Sequence, residues 1–250
     1  MLSTLMAKPT TSSISVERTA GFVRVRLTRP DRYNVLDRSV LQQLWRTLAP
    51  PTDSLPLLIE GDGGVFSLGV DIRELSAFDA TTAAAYSRLG QRVMQRLEAW
   101  PGVTVVWLQG YALGPGLELA VGCDVLVAAP GLRLGLPGLA WALMPCLGGM
   151  RRLSSRLTAQ TCGDLFLKGR MLDANEALRE GLVDRLAEEA SEVERLATDL
   201  GEFGAGAVAA IRAVRLQRQG RINQRAEASL FSQPFASGEC QRRLRSLLAS

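Results

Sequence analysis

Two glycine-rich turns and one glutamate hold most of the chemistry this chain of 250 residues can offer. The first turn reads Val65-Phe66-Ser67-Leu68-Gly69-Val70-Asp71-Ile72. The second reads Gly110-Tyr111-Ala112-Leu113-Gly114-Pro115-Gly116-Leu117-Glu118-Leu119-Ala120 and runs on to Cys123-Asp124. Each leads from a strand or turn into a helix. Backbone N–H groups at a helix start lack an intrahelical acceptor and carry partial positive charge, so two such turns facing one another could hold an oxyanion. Taken singly, either is also what an ordinary chain reversal looks like. The chain has no histidine, which excludes Ser-His and Cys-His nucleophiles and most zinc or haem sites. Cys123, Cys146, Cys162 and Cys240 show no CxxC spacing, so no metal is expected and nothing obliges them to pair. Catalysis is left to carboxylates, backbone amides, hydroxyls and thiols.

The elements that must position these groups follow from periodicity. With 47% apolar and 22% charged residues, the composition is that of one globular domain, and at this length roughly 75% of the unfolded surface can be buried. Val23, Val25 and Leu27 alternate with Arg24, Arg26 and Thr28, the period of a half-buried strand. Val40, Leu41, Leu44, Trp45 and Leu48 recur at helical spacing and stop before Pro50-Pro51. Leu55 to Ile59, Val103 to Leu108 and Asp124 to Ala129 read as strands, and Leu89, Val93, Leu97 and Trp100 as a helix. Strand and helix alternate through the first 130 residues, which predicts an α/β layer of crossover units. Beyond them the pattern is mostly helical, with a capping-box spacing at Asp173 and Glu176 before a helix that ends at Gly181. The expected organisation is a flexible N-terminus over 1–13, an α/β core over 14–190, and a helical region over 191–250 that packs on the core or on a neighbouring subunit.

The formal charge is +4, and all but Lys8 and Lys168 of the 29 basic residues are arginine, a side chain suited to planar anions. These arginines are scattered among 25 acids with no basic run, so no nucleic-acid partner is expected. Apolar stretches near 101–117 and 134–150 are broken by Pro and Gly, so no membrane span is expected. Met1 to Ser13 lack the charged and then apolar pattern of a secretory signal, and a cytoplasmic location is expected.

Taken together and in order, the two turns resemble the enoyl-CoA hydratase/isomerase family, the crotonase superfamily. Arg29-Pro30 with Asn34, and the segment LKGRMLDANEALREGLVD from Leu167 to Asp184, are similar to further segments of that family. The resemblance implies a crotonase-like spiral of ββα units with a helical C-terminal oligomerisation region, assembled as a homo-oligomer, a trimer or a dimer of trimers. It implies an acyl thioester substrate, on coenzyme A or on the phosphopantetheine arm of an acyl carrier protein, with no separate cofactor. The shared step of the family is stabilisation of a thioester enolate by two backbone N–H groups, matched here by Val70 and Pro115.

Two departures from the family pattern bear on the chemistry. Proline has no N–H, so position 115 cannot supply the second oxyanion donor: either the amide of Gly116 or Leu117 turns to face the oxygen, or one donor plus the helix dipole serves an easier reaction. Of the two family glutamates, one matches Glu118, whereas the other falls at Gly138 of Pro137-Gly138, and no Asp or Glu occurs from Gly131 through Arg152. Leu68, Gly69, Arg73, Gly114, Gly138, Trp141 and Cys146 match substrate-binding positions. Arg73 is equally a solvated surface residue and Leu68 equally core, Cys146 reads first as a small buried hydrophobe, and Met144 lines either the pocket or the core. Asp71 reads as a helix cap. Glu74, one turn beyond Val70, either faces the acyl pocket or serves the surface. Arg242, Arg243 and Arg245 either meet phosphates across a subunit contact or form a solvated face.

The resemblance therefore implies a lyase-type enzyme acting through one catalytic glutamate, Glu118, in hydration or dehydration, or in decarboxylation. A carrier-protein-dependent dehydratase or decarboxylase of polyketide β-branching and an accessory subunit without turnover are the alternatives.

Overall fold

The side chains of each central strand feed two different apolar layers, and this alternation fixes the architecture. The computed structural model describes residues 12–203, 206, 208, 211–212, 231–232, 235–236 and 238–249. Strands β1 (Ile14–Arg18), β2 (Val23–Leu27), β3 (Leu57–Gly61), β4 (Thr104–Leu108), β6 (Val125–Ala128) and β9 (Arg185–Leu186) form a six-stranded sheet in the order β1-β2-β3-β4-β6-β9. The β1–β2 pair is antiparallel and every other pair in this sheet is parallel. Leu57 and Ile59 of β3 and Val106 and Leu108 of β4 enter the larger core, while Leu58, Val105 and Trp107 enter a second cluster on the opposite face.

Helices cover both faces. The larger core is closed by α1 (Arg38–Thr47) and α3 (Ala80–Glu98), the second cluster by Val193 and Ala197 of α8 (Ala190–Asp199). Such two-sided burial corrects the reading of β2 as half-buried. Arg24 is 9% exposed and is accommodated by ion pairs with Glu17 at 2.7 Å and Glu60 at 3.3 Å.

A smaller sheet carries the site. Strands β5 (Tyr111–Leu113), β7 (Arg133–Gly135) and β8 (Met171–Asp173) lie in the order β5-β7-β8, so the mostly helical reading of the chain after residue 130 is corrected by three short strands, β7, β8 and β9. The remaining helices are α2 (Ile72–Ser76), α4 (Pro115–Ala120), α5 (Gly149–Ser154), α6 (Ala159–Leu167), α7 (Ala174–Arg179) and a C-terminal helix, Glu239–Ala249. Asp173 and Glu176 do form a capping box at α7, and Gly181 follows it with φ +77°.

Of the expected flexible segment, residues 1–11 lie outside the described residues. Ser12 and Ser13 are tied down, Ser13 donating its N–H to Gln43 at 3.1 Å. Most of residues 204–237 also lie outside them. Arg212, described and buried, donates to Gly102 O at 2.9 Å and pairs with Asp124. Arg242 and Arg245 are exposed, and the Arg243 side chain lies outside the described residues. All four cysteines are buried as thiols, outside any disulfide. Among the described residues no helix is long and apolar enough to cross a membrane.

Candidate active site

The two turns meet. Ser67 and Ala112 form a parallel bridge, with Ser67 N–H donating to Tyr111 O at 2.9 Å and Leu113 N–H donating to Ser67 O at 3.0 Å. Gly69 has φ +89°, and a Cβ there would stand 2.4 Å from Leu113 O and 3.0 Å from Pro115 Cδ. Glycine is thus required both by the backbone conformation and by the approach of the second turn. Behind them, Ser67 Oγ accepts from Gly69 N–H and donates to Asn34 O. Asn34 Nδ2 donates to Val65 O at 2.7 Å and to Asp62 O at 3.0 Å. This gives the Arg29-Pro30…Asn34 segment a physical role: it clamps the first turn.

Gly69 O accepts from Leu36 N–H at 2.6 Å, whereas no acceptor among the described residues takes the Val70 N–H. In the second turn Gly114 adopts φ +49°, donates to Gly135 O and accepts from Glu118 N–H, and Pro115 stands at the first helical position. Pro115 brings a ring methylene where an N–H would otherwise lie.

A cavity of about 480 Å³ opens between the turns and the 136–146 segment. Its wall includes Leu68, Val70, Arg73, Gly114, Pro115, Glu118, Gly138, Trp141, Met144 and Cys146 of the residues singled out from the sequence. Gly69 and Gly116 lie behind the wall, Gly116 packed so closely on Ser67 that a Cβ would meet Ser67 Cβ at 2.9 Å. Asp71 caps α2 by accepting from Arg73 N–H at 2.9 Å, and its other oxygen pairs with Arg32 in the cavity wall. Sequence reasoning missed Arg32, Phe231 and Leu248 as lining residues. Arg32 sits two residues from the Arg29-Pro30 signal, while nothing local marks the other two.

Glu74 is outside the wall. Its Oε2 accepts from Arg38 N–H at 3.0 Å at the start of α1, and burial, the largest influence, holds its carboxyl above the usual range. Glu118 is fully buried and is one of the residues lining the cavity. Oε1 accepts from Cys146 N–H at 2.9 Å, and Oε2 from Leu147 N–H at 2.7 Å and Gly149 N–H at 2.8 Å. Gly149 is confined by this contact, since a Cβ there would lie 2.3 Å from Glu118 Cγ. The charge-assisted bonds fix the carboxylate in one orientation. Nearby, burial pushes the Tyr86 phenol well above its ordinary range, with Cys146 and Glu118 adding to it, so it acts as a neutral donor to Leu36 O at 2.6 Å.

A sheet of crossover units whose glycine-rich turns converge on an apolar cavity lined by a buried glutamate is the architecture of the crotonase superfamily. A family model described as Enoyl-CoA hydratase/isomerase matches residues 17–245. A probable enoyl-CoA hydratase of Mycobacterium bovis is 34% identical over 205 residues, 79% of each protein. The 2,3-dehydroadipyl-CoA hydratase of Escherichia coli is 33% identical over 175 residues, 69% of this chain and 68% of that protein. Among solved structures, an enoyl-CoA hydratase/isomerase from Mycobacterium paratuberculosis matches with a TM-score of 0.86 at 22% identity, covering 96% of this chain and 100% of the other. This chain belongs to the enoyl-CoA hydratase/isomerase family.

Proposed function

We propose that this protein binds an acyl thioester in the cavity between the two turns and catalyses a reaction that needs one enolate and one acid–base group. The observation that carries this reading is the joint presence, in two residues of the cavity wall, of the Val70 N–H with no acceptor among the described residues and the Glu118 carboxylate fixed by backbone donors. The thioester carbonyl oxygen accepts from Val70 N–H, and Glu118 takes or returns the proton on the α-carbon. Loss of one oxyanion donor typically lowers a rate by about 100- to 1,000-fold. With Gly138 where the family has its second glutamate, two-acid hydration of an enoyl thioester is weak.

The reactions that suit one donor and one carboxylate are eliminations. In dehydration the α C–H and β C–O bonds break, the C=C bond forms, and Glu118 passes the α-proton to the departing hydroxyl, which leaves as water. In decarboxylation a C–C bond breaks, CO₂ leaves with the electron pair held in the enolate, and protonated Glu118 then delivers a proton to carbon. The apolar lining from Leu136, Leu143, Met144 and Phe166 supports an aliphatic acyl group.

The test is exchange of the α-proton of an acyl thioester in D₂O, followed by mass spectrometry for the wild type and Glu118→Gln. The expected loss in the variant is on the order of 100- to 10,000-fold. Equal, negligible exchange in both, on coenzyme A and on carrier-protein thioesters alike, sinks the enzymatic reading and leaves the accessory subunit. Running both carriers decides between them, and light scattering decides whether the expected trimer or pair of trimers forms.

A further inference from the structure

Three N–H groups that hold Glu118 come from one short segment, Cys146 to Gly149, in which the carbonyls of Cys146, Leu147 and Gly148 are tied off by α3 and by a single buried guanidinium. Ser87 Oγ donates to Cys146 O at 2.7 Å, and Gln91 Nε2 reaches the same oxygen at 3.5 Å. Arg152 Nη1 donates to Gly148 O at 2.9 Å and to Leu147 O at 3.3 Å. Arg152 is 3% exposed, and its Nε and Nη2 both pair with Glu98, the last residue of α3. A segment that turns several N–H groups to one side presents its carbonyls elsewhere, and buried carbonyls need donors. Arginine can serve two carbonyls and a carboxylate at once, and Glu98 keeps its buried charge paired.

We propose that Arg152 is a positioning residue. By taking the carbonyls of Leu147 and Gly148, it keeps the N–H groups of Cys146, Leu147 and Gly149 on the Glu118 carboxylate and so aims that carboxylate into the cavity. The proposal rests on the reading of the cavity as a thioester site in which Glu118 moves the proton. It adds a residue that touches no substrate and lies outside the cavity wall.

The test uses Arg152→Met and Arg152→Lys in the full chain, with three measurements. Backbone amide exchange over residues 143–150 reports the segment, binding of a non-reactive acyl-CoA thioether reports the cavity, and α-proton exchange reports Glu118. For Arg152→Met, amide exchange in the segment is expected to accelerate roughly 10- to 100-fold, as when a hydrogen bond to a charged group is lost. The α-proton exchange falls on the order of 10- to 100-fold, and thioether affinity stays within about threefold. Arg152→Lys, which keeps the charge beside Glu98 with fewer directed donors, falls between. Unchanged amide protection in Arg152→Met overturns the proposal. So does a variant in which affinity and exchange fall in equal proportion, since that is a general loss of structure. If Arg152→Met does not fold, Arg152→Lys decides by the same criteria. A wild type that exchanges no α-proton sinks the thioester reading, while the amide measurement still decides whether Arg152 holds the segment.

Discussion

The turn at Gly69-Val70 and the turn at Gly114-Pro115 are built on one plan. Each sets a positive-φ glycine before a residue of the cavity wall and leads into a short helix that carries a glutamate in its first turn. They differ in which group they offer the cavity. The first keeps its N–H at Val70 and turns Glu74 away to the start of α1, whereas the second has no N–H at Pro115 and turns Glu118 inward. The cavity thus receives one amide from one turn and one carboxylate from the other. On the function proposed above, a site of this kind suits one-proton chemistry on an activated carbonyl, and the missing halves are the reason slow hydration is expected of it.

The largest expected effect comes from separating the turns. Gly69→Ala places a Cβ 2.4 Å from Leu113 O at a φ of +89°, so the backbones must part and the Val70 N–H moves with them. Thioether binding and α-proton exchange are both expected to be lost, with stability lowered by roughly 1–3 kcal/mol. Isothermal calorimetry on the variant checks this. Retention of wild-type affinity would mean that the first turn contributes nothing to binding and that the contrast between the turns is idle.

A gain is expected from making the turns alike. Pro115→Ala keeps a residue that fits the first helical position and restores an N–H along the former N–Cδ bond. The second donor should raise the enolate-forming rate by up to about 100- to 1,000-fold. Removing buried ring atoms and freeing the unfolded chain costs about 1–2 kcal/mol, visible as a lower urea midpoint. A rate unchanged within twofold in a folded variant would show that residue 115 does not face the thioester oxygen.

How much of this was legible in the sequence depends on how local each cause is. The helix around Val40 to Leu48, the C-terminal half of α3 from Leu89 to Leu97, the Asp71 cap and the Asp173–Glu176 box were legible, since each is set by residues within one or two turns; the start of α3 at Ala80 was not read, and Trp100 lies past its end. Strands β5, β7 and β8 were not, because three residues carry no period and gain their pairing only once the chain has folded back. β1 was missed for another reason: Ile14 and Val16 do alternate with Ser15 and Glu17, but at the sheet edge only Ile14 is buried and the run is too short to stand out. At the site, the glycine-rich order pointed to two meeting turns, and Pro115 and Gly138 were visible departures. The amide cradle of Glu118 was invisible, since its donors lie 28 to 31 residues downstream and the Cys146 carbonyl among them is held by Gln91 and Ser87 of α3, 55 and 59 residues upstream.

The smallest expected effect sharpens the contrast from the side of Glu74. Burial holds its carboxyl above the ordinary range in the folded protein, against the opposing bond from Arg38 N–H, and Asp37 and Asp71 add to the upward shift. A carboxyl raised on folding is protonated more readily in the folded state than in the unfolded one. At neutral pH it is ionised in both, and its burial counts against the fold. As pH falls into the carboxylate range the folded protein takes up the proton first, and the penalty disappears. The Arg38 guanidinium, 41% exposed and 3.8 Å away, offsets little of this. Glu74→Gln keeps an oxygen acceptor for Arg38 N–H and removes the charge. Its urea midpoint should exceed that of the wild type at pH 7, by less than about 1 kcal/mol in stability, and the two should converge towards pH 4. Its α-proton exchange should match the wild type throughout, because Glu74 lies outside the cavity wall. A difference that widens on acidification reverses the sign argued here. A loss of exchange would give the first turn a catalytic carboxylate of its own, and the asymmetry between the two turns would no longer account for the site.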